Sequence, residues 1–262
     1  LLFNILIRDR LLPNLTMLDI CTSLTELEAE AVNKFLSERP SILKVNMGTI
    51  SDYYGGKSLV HHNNLQQLKV YSLSVNKIPM MANLKYLHCR VPDRSRLDVE
   101  VASSICSIIN NGFLESLHLV GTSFCPGAFT ELMSAIADSS TLTELNLNRN
   151  HFSPTDIQEL ADVIKNHQTL KQLDVSYISC SPLEMETIME ALGKNESIEN
   201  LQVGSNTFDI IQVVGRRLPL VLDQNSNITN VDCLRFQIYD LLKKNRQICD
   251  QKRFKRCKPA NM

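Results

Sequence analysis

The chain has 262 residues, with 27 Lys and Arg against 28 Asp and Glu, a formal net charge of −1. No run approaches the ~18 consecutive apolar residues that a membrane-spanning helix needs, and the length is large for one globular core. The charge is unevenly placed: Arg235 to the end holds nine basic residues against two acidic, while the preceding residues hold 18 against 26.

The opening run Leu1-Leu2-Phe3-Asn4-Ile5-Leu6-Ile7 is short, with no basic segment before it and no small-residue cleavage site after it. It is a poor signal peptide. Residues 1–14 read instead as the remnant of a preceding repeat or cap, so the chain is expected to begin inside a longer protein.

From Leu15 onward one pattern returns. Four segments repeat L-x-x-L-x-L with branched apolar residues: Leu114/Leu117/Leu119, Leu142/Leu145/Leu147, Leu170/Leu173/Val175 and Ile198/Leu201/Val203, each start 28 residues after the last. Poorer matches are Leu15/Leu18/Ile20, Ile42/Val45/Met47, Leu65/Leu68/Val70, Leu84/Leu87/Cys89 and Ile228/Val231/Cys233. The pattern is the strand signature of a leucine-rich repeat. A single such unit cannot bury its apolar edge, so about nine repeats over 15–234 are expected to stack into a solenoid.

The long repeats carry a second, helical segment after the strand. Ser153-Pro154 precedes Ile157, Leu160, Ala161 and Ile164, where Ser153 suits a cap and Pro154 the first turn. Ser181-Pro182 before Met185, Ile188, Met189 and Leu192 repeats the arrangement, as does Cys125-Pro126 before Phe129, Leu132, Met133 and Ile136. Between Ile42 and Leu84 the repeats shorten to 23 and 19 residues, so extended or 3₁₀ segments should replace the helix there. Asn150 and Asn206 stand at the repeat's buried Asn position, with Thr122 and Ile178 in its place in neighbouring repeats.

Strand, turn and amphipathic helix in about 28 residues resembles the ribonuclease-inhibitor-like class of leucine-rich repeats, over about residues 15 to 250. The resemblance implies an α/β fold, a right-handed α/β horseshoe with parallel strands on its concave face. It also implies a noncatalytic scaffold or inhibitor that grips a protein partner there. Two alternatives are the ligand-sensing, autoinhibitory repeat region of a Nod-like-receptor-type regulator and a tropomodulin-like actin-binding repeat domain.

The eight cysteines include no C-x-x-C pair; Cys89 and Cys233 fall on the third strand position and Cys106 on an apolar helix face. They read as reduced core thiols, which points to the cytoplasm. The sequons at Asn14, Asn195 and Asn227 sit in turns before strands, where Asn serves the backbone. His61-His62 has no ligand-spaced neighbour, Gly55-Gly56 reads as a hinge, and no catalytic motif occurs. No enzyme activity, cofactor, metal or small-molecule substrate is expected.

What remains is surface. Side chains alternate along a strand, so the middle x position should form an outward stripe of Asp19, Asn46, Lys69, His88, His118, Asn146, Asp174, Gln202 and Asp232. Tyr71, Tyr86, His88, Arg90, His118, Arg149 and Tyr177 are the partner-binding candidates, because Tyr and Arg dominate binding hot spots and His titrates near neutrality. Residues 235–251, with Phe236, Tyr239 and Leu242 at helical spacing, are expected to cap the last strand. The basic tail 252–262 reads as a solvated terminus rather than a nucleic-acid or membrane contact.

Overall fold

The computed structural model describes residues 15–20, 26–47, 50–51, 64–70, 73–74, 83–91, 96–205, 207–232 and 247. It is of the α/β leucine-rich-repeat class, with parallel strands alternating with helices along the chain. The chain divides into two compact units, Leu1–Leu142 and Thr143–Met262. Expectations for residues 1–14, for the capping segment 235–251 apart from Gln247, and for the tail lie outside the described residues.

In the first unit five strands follow in the order β1 (Met17–Ile20), β2 (Lys44–Met47), β4 (Gln67–Val70), β6 (Tyr86–Cys89) and β7 (Ser116–Leu119). All pair parallel, in the register set by the repeat: Val45 faces Leu68, Leu68 faces Leu87, and Leu87 faces Leu117. These central residues are at most 1% exposed. The strand-starting residues Ile42, Leu65, Leu84 and Leu114 are buried to the same degree. Alternation decides the rest: Gln67, Lys69, Tyr86 and His88 are only half-buried on the other strand face.

The short repeats behave as their length requires. Between Met47 and Leu84 no helix occurs among the described residues. Instead β3 (Ile50–Ser51) and β5 (Leu73–Ser74) pair parallel as a second, two-stranded sheet. Elsewhere in this unit lie helices α1 (Glu26–Ser37), α2 (Val99–Asn110) and α3 (Ala128–Asp138), the last two packed on each other. Helix α2 opens on Asp98, whose side chain accepts the Val101 N–H at 2.8 Å. Helix α3 opens differently from the Ser-Pro expectation. Pro126 lies in the turn before it, and Gly127, at φ 84°, is an N-cap with no side-chain bond.

The second unit has four strands, β8 (Glu144–Asn146), β9 (Gln172–Asp174), β10 (Asn200–Gln202) and β11 (Asn230–Asp232), in sequential parallel order. Leu145, Leu173, Leu201 and Val231 align across them. Helices α4 (Pro154–Asn166), α5 (Pro182–Lys194) and α6 (Phe208–Gln224) pack in sequence, α4 on α5 and α5 on α6. Ser153 and Ser181 cap α4 and α5 as expected, and each closes a reciprocal box. Asp156 accepts the Ser153 N–H at 2.8 Å and Glu184 accepts the Ser181 N–H. Arg216 and Arg217 of α6 pair with Glu186 of α5, and Arg217 also reaches Glu190. The Glu186 carboxyl is held below its usual range, chiefly by the hydrogen bond from Arg217.

The links from helix back to strand have their own series. Ser139, His167, Asn195 and Asn225 end α3, α4, α5 and α6, and each side chain accepts a backbone N–H of the next turn. Ser139 takes Leu142, His167 takes Thr169 and Leu170, Asn195 takes Ser197 and Ile198, and Asn225 takes Asn227. Asn195 is 2% exposed, so its sequon serves the backbone. Asn150 is fully buried and Thr122 nearly so, while Asn206 lies outside the described residues.

Candidate functional site

In the first unit the open strand face gathers most of the candidate residues. The pairing of β4, β6 and β7 places Lys69 beside His88 and His88 beside His118. Tyr86 sits diagonally from His118, with its Oη 3.3 Å from the His118 Nδ1 and the rings edge to face at 5.0 Å. The His88 ring lies 5.5 Å from that of His118. Three rings from two strands thus make one contiguous cluster, and each is half-buried by its neighbours.

Burial, then the neighbouring His118 and Lys69, pushes the His88 imidazole down to about 4. Desolvation disfavours the charged form, and the electrostatic effects of His118 and Lys69 act in the same direction. The expectation that His88 titrates near neutrality is therefore corrected: it stays neutral across that range. Around the cluster Lys44 and Arg90 are exposed, while Lys85 is matched by Glu115 at 2.9 Å. The Arg90 backbone N–H continues the ladder to the Val70 carbonyl at 3.1 Å. Its Nε lies 3.6 Å from where a Cβ on Gly121 would stand.

Arg149 and Tyr177 belong to the second unit, each three residues beyond the end of its strand. The Arg149 guanidinium carbon is 5.8 Å from the Tyr177 ring centroid. On the strand face below them, Asn146 and Asp174 fold their side chains onto the backbone N–H two residues ahead, at Asn148 and Ser176. Lys171 pairs with Glu199 at 3.2 Å, and Glu144, Asp174 and Asp232 also lie on that face. Tyr71 lies outside the described residues. The left-handed backbone at Arg149 and Tyr177 is absent from the sequence reading. Its signal was Gly121, which stands 28 residues before Arg149 and 56 before Tyr177 in the same turn.

Two clefts lie elsewhere in the second unit. One of about 240 Å³ is lined by Met189, Glu190, Lys194, Arg217, Leu220 and Val221. The other, of about 430 Å³, lies at the ends of α4 and α5 between Lys165, His167, Lys194 and Glu196. Among the described residues no group of three or more His, Cys, Asp or Glu is placed to hold a metal ion, and no helix is long and apolar enough to cross a membrane.

No protein-family profile matches the chain, and no curated protein matches it. Among solved structures it is similar to leiomodin-1 actin-binding site 2, at 14% identity over 51% of this chain and 80% of that one, with a TM-score of 0.43. It is also similar to the tropomodulin C-terminal domain of Caenorhabditis elegans, at 13% identity over 58% of this chain and 98% of that one, with a TM-score of 0.48.

Proposed function

We propose that the chain is a noncatalytic protein-binding scaffold or inhibitor of the ribonuclease-inhibitor-like class, and that it grips a protein partner on its open strand faces. The observation that carries this reading is the Tyr86–His118–His88 cluster, in which rings from adjacent strands hold one another at 5.0 and 5.5 Å. Side chains already fixed by their neighbours lose little freedom on binding, so more of the contact energy appears as affinity. Tyr86 offers a large amphipathic surface and Arg90, just past the end of the same strand, an exposed cation. Strand-face positions are set by the ladder, so substitutions there change the surface without changing the fold. The free thiols of Cys89, Cys106, Cys125 and Cys180 suit a reducing compartment, and we place the protein in the cytoplasm.

Affinity capture with mass spectrometry identifies the partner, and calorimetry on the purified pair then tests the surface. Tyr86→Ala and Arg90→Ala should each weaken binding by about 1 to 3 kcal/mol, and Lys165→Ala on α4 should leave it unchanged. An affinity indifferent to both strand-face substitutions, in protein that still folds, would refute the reading. Actin is the first protein to assay directly, by co-sedimentation, because the tropomodulin-like alternative names it.

A further inference from the structure

In the second unit two residues adopt a backbone conformation that their side chains disfavour. Arg149 has φ 60° and Tyr177 has φ 57°, in the left-handed region where a Cβ crowds the following carbonyl oxygen. The main chain imposes this conformation. The Arg149 N–H donates to the Ser176 carbonyl at 3.0 Å and the Tyr177 N–H to the Gly204 carbonyl at 2.7 Å, so the ladder runs on past the strand ends whatever the side chain. Gly121, at the same place in its own repeat, has φ 61°. The turn asks for glycine, yet here it carries an arginine and a tyrosine.

Core packing does not account for them, since Arg149 is exposed and Tyr177 only half-buried. What they do is meet: the Arg149 guanidinium carbon lies within cation–π reach of the Tyr177 ring, 5.8 Å from its centroid, and the Tyr177 Cζ is 3.8 Å from where a Cβ on Gly204 would lie. An exposed guanidinium offers a rigid fork of N–H donors that can take a carboxylate through two parallel bonds, and a neighbouring ring limits its freedom. Among the described residues no carboxylate forms an ion pair with Arg149.

We propose that Arg149 and Tyr177 form a recognition station for a carboxylate on an acidic segment of a partner protein. The station deepens the protein-binding reading above and rests on it. Strain kept at two equivalent turns, where glycine would relieve it, marks side chains retained for what they bind.

The test is a ¹⁵N NMR titration of the full chain with a blocked hexapeptide of alternating Gly and Glu, and with its Gln and Lys counterparts. The Glu peptide should shift the Arg149 side-chain Nε–H and the Tyr177 amide saturably, and the other two should not. Arg149→Gly and Tyr177→Gly should each weaken the Glu peptide by about fivefold or more, without lowering the melting temperature. Arg149→Lys, which keeps the charge and loses the fork, should weaken it less. The proposal is overturned by no shift at millimolar Glu peptide, by equal shifts with the Lys peptide, by unchanged affinity in Arg149→Gly, or by a melting temperature more than about 5 °C lower in the glycine variants. Tyr86→Ala is measured in parallel. A loss there with Arg149→Gly silent moves the acidic segment to the first unit and leaves the protein-binding reading standing.

Discussion

The side chain of Asn195 ties the end of one repeat to the end of the previous one: its Nδ2 donates to the His167 carbonyl at 3.1 Å and to the Ile164 carbonyl at 2.7 Å. Its Oδ1 accepts the N–H groups of Ser197 and Ile198 at 2.8 and 2.7 Å. One buried amide therefore serves four backbone groups at the junction of helix and strand. Asn195→Ala would strand three of them, since the His167 carbonyl keeps the Ser197 hydroxyl at 2.7 Å, and each stranded group costs about 1 to 3 kcal/mol where water cannot replace the partner. The expected loss is about 3 kcal/mol or more, measured as a lower urea midpoint at unchanged slope. His167 does the acceptor part of the same work one repeat earlier, through its Nδ1. His167→Asn should cost under about 1 kcal/mol, whereas His167→Ala should cost clearly more.

His88 makes stability depend on pH. Its folded-state value of about 4 lies below the unfolded value of 6.5, so between the two the unfolded chain binds more protons than the folded one. Its contribution is complete above pH of about 6.5 and is lost as the pH falls towards about 4. Urea midpoints of parent and His88→Gln protein from pH 4.5 to 7.5 check this. The parent should lose stability over that window relative to the variant, and a parallel pair of curves would exclude His88 as the source.

Leu145 is fully buried and lies in register with Leu173. Leu145→Asp places a carboxylate in an apolar layer without a partner, which costs about 4 kcal/mol or more unless the region opens. Circular dichroism and thermal melting should show partial or complete unfolding, with Glu144→Ala on the other face close to the parent.

The cysteines offer a chemical test of burial. Desolvation pushes the thiols of Cys89 and Cys106 up to about 12 and that of Cys180 to about 11, aided at Cys106 by Glu131 and at Cys180 by Glu184. A thiol that ionises so late supplies almost no thiolate at pH 8. Disulfide-exchange reagents should leave Cys89 unmodified in native protein and label it at once in urea. Prompt native labelling would mean that the Leu84–Cys89 segment is not a core strand.

The strand register was legible in the sequence because it rests on a local rule repeated many times. Alternation places Leu145, Leu173 and Leu201 inward, and a slip of one residue would turn all of them to water. Ser153-Pro154 and Ser181-Pro182 marked helix starts for a similar reason, since a cap is made within four residues. The α3 start escaped because Gly127 reaches its conformation through the turn and not through a side chain. The series Ser139, His167, Asn195 and Asn225 was legible only at Asn195: three residue types share one task, accepting a backbone N–H, and no single residue pattern joins them. Tyr86 and His118 are 32 residues apart and touch only because β6 and β7 pair. The neutrality of His88 likewise comes from neighbours on other strands. The left-handed turns at Arg149 and Tyr177 follow from a ladder that outruns the strands, a constraint that only the paired backbones impose.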